Sequence, residues 1–426
     1  MVLLPLFFML VLLMVGLPVA FSMGITGIVG ILMIGGLDSV FGILGTSPFR
    51  SAAHYTLTTV PLFILMAGFI TNSNITRDVF QVAYKWFGHL PGGVAIATVF
   101  ANAGFGAMCG SSTATAAAMS SVVVPEMQKL KYRDDLIAGS VAVAGTLAVL
   151  IPPSVPMIIY GTATETSVGK LLIAGLIPGI ISTFILAAAI VLWVKVSPGI
   201  SPSIPAFSWQ ERMQSVKAIF PVLILFMIVI GSIYSGFATP TESAAIGALG
   251  ALLIGLGMRR LSKEGIVKAI VSTLNTTGTI FIIIICATIF GYYLTMSQIP
   301  QSIVHMISSL QIDRWLIMLL LIVLYLVLGC IMDQIAILML TLPMVFPVVQ
   351  SLGFDPIWFG VVAIVLVEIG LVTPPVGLNV FIVSSVGKIE LGTAFRGSAV
   401  LLLACVLSLI IFLAFPEIVL WLPNRM

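Results

Sequence analysis

Long uninterrupted apolar runs are the feature that most restricts what this chain can fold into. Val2–Phe21, Leu171–Val194 and Val400–Phe415 are examples, and a helix needs roughly 20 apolar residues to cross a hydrocarbon core. The runs are apolar on every face, which is typical of helices, whereas barrel strands alternate apolar and polar residues. Only 8% of residues are charged, against about 25% in soluble chains. The sequence therefore predicts an all-α polytopic membrane protein.

Clusters of Lys and Arg orient the predicted helices, because cytoplasmic loops are enriched in these residues. We expect residues 2–22 and 24–46 to be the first two helices, the former a retained helix because no basic segment precedes it. Placing all basic clusters inside requires segments 93–125 and 315–350 to enter and leave on one side. The clusters are Arg77/Lys85, Lys129/Lys131/Arg133, Lys195/Arg212/Lys217, Arg259/Arg260/Lys263/Lys268 and Lys388/Arg396.

Segment 93–125 satisfies this condition either as two complete helices or as a re-entrant hairpin. Its centre, residues 104–115, is small and polar. Such backbone is tolerated at membrane depth only where protein or a cavity surrounds it. We therefore predict re-entrant helical hairpins at 93–125 and, in the second half, at 315–350.

The two halves of the chain repeat a pattern of helix-breaking residues. When the basic loops are placed in the cytoplasm, the matched segments cross the membrane in opposite directions. The sequence therefore predicts an inverted-topology repeat, with residues 1–195 as the first half and 217–426 as the second. A Pro/Ser-rich linker, 196–216, joins the two halves. The matched pairs are Gly16 and Gly236, Gly27 and Gly247, Gly30 and Gly250, and Pro152-Pro153 and Pro374-Pro375.

Each Pro-Pro pair interrupts a predicted helix, over residues 135–162 in the first half and 357–386 in the second. Proline removes a backbone donor and clashes with the preceding turn, so the helix unwinds there. Unwinding exposes carbonyl groups at one half-helix end and N–H groups at the other. Carbonyl oxygens suit a hard cation and N–H groups suit a carboxylate, so the sequence predicts an ion and anion site near the midplane.

The hairpin tips and Pro-Pro breaks supply the candidate site residues. The first predicted sodium site comprises Ser111, Ser112, Thr113, Gly145, Thr146 and Pro152. The second comprises Gly329, Cys330, Asp333, Thr373 and Pro374. The predicted substrate contacts are Thr113, Pro153, Ser154, Pro375 and Asn379. Close helix packing is the alternative explanation for the Ser/Thr cluster, because small residues are favoured at helix contacts in membranes.

Three acidic residues have separate interpretations. Asp333 lies inside an apolar segment, where a carboxylate is costly and is by default a functional candidate. It is predicted to bind sodium, to cap the second helix of its hairpin, or both. Glu368 is predicted either to support the residues that contact the ligands, without contacting a ligand itself, or to pair with a basic side chain. Glu242 follows Thr239-Pro-Thr and is expected at a helix start.

At these residues the chain closely resembles the large membrane subunit of the tripartite ATP-independent periplasmic (TRAP) transporters. The matching stretches are residues 110–115, 150–161, 236–243 and 373–379. The resemblance covers essentially the full length, and the motif Leu-Ile-Pro-Pro-Ser-Val-Pro-Met-Ile-Ile-Tyr-Gly at 150–161 is specific. Cys330 departs from the small polar residue or glycine expected in the second tip.

The resemblance implies a bacterial inner-membrane transporter with an elevator mechanism. Helices 2–46 and 217–258 would be its static scaffold. Sodium ions would move inward with a C4-dicarboxylate, sialic acid or another small organic anion. The implied partners are a small four-helix membrane subunit, a periplasmic substrate-binding protein and membrane lipid, and no organic cofactor is implied.

Other functional classes fit the sequence less well. An ATP-driven permease would need a Gly-x-x-x-x-Gly-Lys-Ser/Thr loop, which is absent here. A stand-alone sodium–dicarboxylate symporter would share the two-hairpin plan without a binding protein. A membrane enzyme is disfavoured because the three histidines are scattered and the four cysteines lack metal-ligand spacing, so no catalytic residues are predicted. A channel or structural anchor would not need two broken-helix pairs.

Overall fold

The computed structural model describes residues 3–309 and 312–426, which form helices joined by turns and loops. The first half contains α1 Leu4–Met14, α2 Val19–Ala52, α3 Thr59–Asn72, α4 Ile75–Phe87, α5 Gly93–Cys109, α6 Ser112–Lys129, α7 Asp134–Gly145, α8 Val155–Ala163, α9 Val168–Ala174 and α10 Leu176–Val196. The second half contains α11 Trp209–Tyr234, α12 Pro240–Gly257, α13 Lys263–Ser297, α14 Ile299–Ser309, α15 Arg314–Gly329, α16 Gln334–Ser351, α17 Pro356–Gly370, α18 Leu378–Gly387, α19 Leu391–Ala414 and α20 Glu417–Leu420. Within the described residues, eight helical spans are long and apolar enough to cross a membrane, which confirms the predicted all-α polytopic class.

The extent predicted for the first helix, residues 2–22, is wrong. The helix ends at Met14 and a second one begins at Val19, while Met1 and Val2 lie outside the described residues. Gly16 between them has φ +89°, and Pro18 disfavours a helical conformation in the residue before it. The longer α2 then covers the predicted 24–46 segment and continues to Ala52, with non-helical backbone inside it at Gly36.

Two capping boxes set the starts of α11 and α12. The Ser208 and Glu211 side chains each accept a hydrogen bond from the other's backbone N–H, so α11 begins inside the predicted linker, 196–216. Thr239 and Glu242 form the same reciprocal pair at the start of α12, which confirms the helix-start interpretation of Glu242. Each pair satisfies backbone donors that the first helical turn leaves open.

The helix interruptions occur where the sequence predicts them. Helices α5 and α6 are separated at Gly110-Ser111, α15 and α16 at 330–333, α7 and α8 around 150–154, and α17 and α18 at 371–377. Both Pro-Pro bonds are cis. The repeat also has a backbone signature, because Gly16 and Gly236 both have positive φ, at +89° and +69°. The two helix-turn-helix hairpins and the two discontinuous helices are therefore confirmed as backbone features, and the re-entrant course of the hairpins in the membrane stays a prediction.

Two short helices were missed by the sequence interpretation. Helix α4 buries Ile75, Val79, Phe80 and Ala83, which recur on one face, and α14 precedes the second hairpin as α4 precedes the first. Their mixed composition and limited length give no membrane-spanning signal. Amphipathicity was the available sign.

We name two bodies of packed helices, the scaffold (α2, α3, α11, α12 and α13) and the hairpin unit (α5–α8 and α15–α19). The predicted static scaffold, helices 2–46 and 217–258, stays a prediction. Glycines bring backbones together within each body. A methyl group on Gly27 of α2 would lie 2.9 Å from the carbonyl oxygen of Ile289 in α13. One on Gly139 of α7 would lie 2.6 Å from the carbonyl oxygen of Gly397 in α19. Small residues at helix contacts allow this close approach.

Candidate ion and substrate site

The first hairpin tip is held against the first Pro-Pro break by a backbone hydrogen bond. The N–H of Val155 donates to the carbonyl oxygen of Gly110 over 3.2 Å. Gly110 has φ +67°, and a methyl group there would lie 2.6 Å from the carbonyl oxygen of Pro153. Ser111 then caps α6 by accepting from the N–H of Ala114 at 3.4 Å. The tip and the break therefore form one local unit.

The second tip repeats this arrangement. The N–H of Val376 donates to the carbonyl oxygen of Cys330 over 3.2 Å. Oδ1 of Asp333 caps α16 by accepting from the N–H groups of Ile335 at 3.0 Å and Ala336 at 3.3 Å. The capping interpretation of Asp333 is thus confirmed. Its Oδ2 makes no hydrogen bond within the described part of the chain, and sodium binding there stays a prediction.

The residues predicted for the first sodium site are only partly brought together. Ser111 Oγ and Thr113 Oγ1 are 3.2 Å apart. The carbonyl oxygen of Ser112 lies 3.4 Å from where a methyl group on Gly145 would be, and Thr146 follows Gly145 directly. Small residues on α6 and α7 thus bring the two helices close at Ser112 and Gly145, whereas Ser111 and Thr146 line different cavities. Ion binding by this set is untested and stays a prediction.

The second predicted set is less enclosed than the first. A methyl group on Gly329 would lie 2.9 Å from the Cα of Gly370, so α15 and α17 touch at their C-terminal ends. The hydroxyl of Thr373 donates to the carbonyl oxygen of Ile369 over 2.6 Å. Pro374 is exposed, whereas Pro152 in the first break is buried. The two halves therefore share a backbone plan but differ in how their breaks are covered.

A cavity of about 240 Å³ lies between the scaffold and the hairpin unit. Helices α3 and α13 form its scaffold side, and the starts of α6, α8 and α16 form the other. Its lining residues are Ile64, Ala67, Gly68, Thr71, Asn72, Cys109, Ser111, Ala114, Val155, Ser272, Thr273, Thr276, Ile280, Gln334 and Ile335. Both hairpin tips and the first Pro-Pro break thus contribute to one space.

None of the predicted substrate contacts lines this cavity. Ser154 is fully buried and caps α8 by accepting from the N–H of Met157 at 3.4 Å, while Val155 beside it lines the cavity. Pro375 is exposed. Asn379 is fully buried, and neither its side-chain oxygen nor its nitrogen has a hydrogen-bond partner in the described ranges.

Gln334 is one of the cavity residues that the sequence interpretation missed. Its side chain is 7% exposed, its Oε1 has no hydrogen-bond partner among the described residues, and it lines the cavity. An unpartnered buried oxygen calls for an explanation, of which an absent ligand is one. The available signal was an amide in an apolar segment, directly after Asp333.

Glu368 joins the first hairpin to the second half of the chain. Ser112 Oγ donates to Glu368 Oε1 over 3.0 Å, and Glu368 is 3% exposed. The described ion pairs join Lys129 to Glu126, Arg133 to Asp135 and Arg260 to Asp78. The alternative that Glu368 pairs with a basic side chain is therefore wrong for residues 3–309 and 312–426, and a serine hydroxyl is its partner instead.

Comparison with known families gives a match along nearly the whole chain. A profile described as "Tripartite ATP-independent periplasmic transporter, DctM component" matches residues 6–418. The C4-dicarboxylate TRAP transporter large permease protein DctM of Pseudomonas aeruginosa is 39% identical over 404 residues, covering 95% of this chain and 94% of the relative. The sialic acid TRAP transporter large permease protein SiaM of Vibrio cholerae serotype O1 is 32% identical over 414 residues, covering 97% and 96%.

A solved structure shares the fold. The YdaH transporter of Alcanivorax borkumensis aligns over 91% of both chains with a TM-score of 0.64 and 15% sequence identity. That structure is described as having an unusual topology. At this identity the likeness concerns the fold alone, and it agrees with the broken-helix architecture described above.

Proposed function

The chain belongs to the tripartite ATP-independent periplasmic (TRAP) transporter family as a DctM component, and from that premise we propose that it imports a small organic anion together with Na⁺. It is a multi-pass inner-membrane transporter subunit and not an enzyme. The proposed anion is a carboxylate such as a C4-dicarboxylate or sialic acid, the substrates named for its relatives in Pseudomonas aeruginosa and Vibrio cholerae.

One observation carries the proposal of an anionic substrate: three helix N-termini converge on the 240 Å³ cavity. Helices α6, α8 and α16 begin at Ser112, Val155 and Gln334, and residues of each first turn or cap line the space. Helix N-termini carry partial positive charge and bind anions readily, although caps already use the N–H groups of Ala114, Met157 and Ile335. No Lys or Arg lines the cavity, so these termini are the source of attraction for a carboxylate.

Sodium coupling is supported by the position of Asp333. Its carboxyl group caps the helix whose first residues, Gln334 and Ile335, line the cavity. An uncompensated carboxylate beside a bound anion would repel it, because like charges in a poorly solvated site destabilise each other. A Na⁺ ion on the free Oδ2 would remove this repulsion. Sodium and anion affinity would then be linked reciprocally.

An elevator mechanism is proposed from the way the cavity is divided. Helices α3 and α13 line one side and belong to the scaffold, while both tips belong to the hairpin unit. Movement of the hairpin unit along the scaffold would carry a site assembled on its tips across the membrane. The backbone bonds from Gly110 to Val155 and from Cys330 to Val376 would keep each tip with its break during that movement.

The proposed partners follow from the family name and from the surface. A tripartite system with a large permease implies a small four-helix membrane subunit and a periplasmic binding protein that delivers the substrate. Helix α1 exposes Phe7, Leu10 and Met14, and α11 exposes Phe220 and Met227. These apolar faces would be covered by lipid and by the small subunit, because a large exposed apolar surface is unfavourable in water.

Reconstitution with the two partners tests the function. Uptake of a labelled small carboxylate into liposomes should require the binding protein and an inward Na⁺ gradient. Uptake that continues at the same rate in potassium-only buffer would refute sodium coupling. Uptake without the binding protein would favour the stand-alone symporter instead.

A further inference from the structure

A second, much smaller cavity lies between the hairpin unit and α10, behind the first tip. Its volume is about 20 Å³, enough for one water-sized occupant. Thr146, Ser182, Glu368, Cys405 and Ser408 contribute its polar lining. Of the residues predicted for the two tip sites, only Thr146 is among those lining it. The space is therefore separate from the 240 Å³ cavity.

Several of the oxygens around this space are free to act as acceptors. Thr146 donates its hydroxyl proton to the carbonyl oxygen of Val143 over 2.7 Å, and Ser408 donates to that of Ala404 over 3.0 Å. A hydroxyl whose proton is used in this way keeps its lone pairs. Ser112 supplies one donor to Glu368 Oε1 from outside the cavity lining. The remaining lone pairs are available to an electropositive ligand.

Two buried oxygens at this cavity have no hydrogen-bond partner within the described residues: Oε2 of Glu368 and Oγ of Ser182. Both side chains are at least nine-tenths buried, with exposures of 3% and 5%. Glu368 is also the single acidic or basic side chain among the described residues that is buried. A buried charge that no opposite charge compensates is strongly unfavourable, and such a residue in a membrane segment is a functional candidate.

We propose that this cavity binds one Na⁺ ion, with Glu368 as its charged ligand and the hydroxyls of Thr146, Ser182 and Ser408 as neutral ligands. Hard cations prefer carboxylate and other oxygen ligands. A single carboxylate matches a monovalent ion, and no group of three or more His, Cys, Asp or Glu that could hold another metal occurs in the described parts of the chain. The small volume favours Na⁺ over the larger K⁺.

The bound ion would connect the two halves of the chain. Glu368 lies on α17 of the second half and receives its hydrogen bond from Ser112, directly after the first hairpin tip. Filling the cavity would hold this carboxylate in place and, through it, the start of α6. The site rests on the proposed function only for the identity of the ion, because the unpartnered oxygens are features of the chain itself.

The test is equilibrium binding of radiolabelled Na⁺ to the purified full-length chain, at constant ionic strength and without organic substrate. Glu368→Gln removes the charge but keeps the shape and an acceptor for Ser112. We expect this variant to bind one Na⁺ fewer per chain than the wild type. Glu264→Gln, a matched change at an exposed site in the first turn of α13, should bind the wild-type number.

An unchanged number of bound ions with an unchanged half-saturating concentration in Glu368→Gln would overturn the proposal. So would a variant that keeps all its Na⁺ but loses a pH-dependent proton uptake, since the cavity would then hold a proton. If Glu368→Gln binds one Na⁺ fewer, as expected, but uptake by the wild type does not depend on sodium, the transport proposal is refuted and the proposed Na⁺ site is retained.

Two further variants decide the matter if Glu368→Gln does not fold. Ser182→Ala removes one neutral ligand and should raise the half-saturating Na⁺ concentration several-fold. Cys405→Ser replaces a thiol of the cavity lining with a hydroxyl that can serve as a further oxygen ligand, and should lower the half-saturating Na⁺ concentration. Unchanged Na⁺ titrations in both variants would overturn the proposal.

Discussion

The backbone N–H of Val155 donates to the carbonyl oxygen of Gly110 over 3.2 Å, joining the tip of the first hairpin to the first residue after the first Pro-Pro break. The equivalent bond in the second half runs from Val376 to Cys330, also over 3.2 Å. The acceptors are 220 positions apart (110 and 330) and the donors 221 (155 and 376). The repeat is therefore visible at the level of individual hydrogen bonds, and it joins each tip to its break.

The first prediction concerns Gly110, which we expect to tolerate no side chain. Gly110→Ala places an L-residue at φ +67° and a methyl group 2.6 Å from the carbonyl oxygen of Pro153. The backbone conformation alone costs about 1–2 kcal/mol. The free energy of unfolding in detergent should fall by at least that amount, and Na⁺ binding should weaken. Gly42→Ala, where a methyl group meets nothing within 4 Å, is the control, and equal effects of the two changes would contradict the prediction.

The second prediction separates the two roles of Asp333. Asp333→Asn keeps an oxygen that accepts from Ile335 and Ala336, so the helix cap should survive. Loss of the charge should raise the Na⁺ concentration for half-maximal uptake by about tenfold, or roughly 1.4 kcal/mol. Asp355→Asn alters a cap of the same geometry at α17, at 2.8 and 3.0 Å, and should leave the sodium titration unchanged. An unchanged titration for Asp333→Asn would assign this residue to capping alone.

The third prediction tests the anion cavity. Gln334→Glu introduces a negative charge where three helix N-termini are proposed to attract a carboxylate, and juxtaposed like charges are strongly unfavourable. The concentration of substrate for half-maximal uptake should rise by at least about tenfold. Gln350→Glu, at the exposed far end of the same helix, should behave as the wild type. Wild-type substrate affinity in Gln334→Glu would exclude this cavity as the substrate site.

The fourth prediction concerns the contact between Ser112 and Glu368. Ser112→Ala leaves Glu368 without its described donor, and a buried acceptor left unsatisfied costs about 1–3 kcal/mol. The free energy of unfolding should fall by that amount. Ser120→Ala removes an equally buried hydroxyl of α6 that bonds only to the carbonyl oxygen of Ala116, one turn earlier, and should cost less. If Ser112→Ala and Ser120→Ala lower the free energy of unfolding equally, the hydrogen bond between Ser112 and Glu368 makes no specific contribution to stability.

Helix breaks were predictable because their causes are local. A Pro-Pro pair removes backbone donors wherever it lies, so the interruptions around Pro152 and Pro374 followed from the residues themselves. Gly16 and Gly236 were recognised as equivalent from spacing alone. The end of the first helix was also set by a local cause, Pro18, but the long apolar run around this proline led to the prediction of one continuous helix.

Contacts between distant segments were not predictable. Ser112 and Glu368 are 256 positions apart, and nothing in either neighbourhood indicates the other. Gln334 was overlooked in favour of Asp333 because only the packed helices show which of the two faces the cavity. The predicted substrate residues around the Pro-Pro pairs lie off that cavity for the same reason.

The sequence by itself determined that this chain is a helical membrane protein resembling the TRAP large subunit, and where the two hairpins and the two Pro-Pro helices break. Hydrophobicity and proline act within a few residues, so their consequences can be read along the chain. The tertiary structure decided which freed backbone groups and buried side chains meet. That outcome depends on glycine-mediated helix crossings such as Gly329 against Gly370, which bring together residues that no local pattern connects.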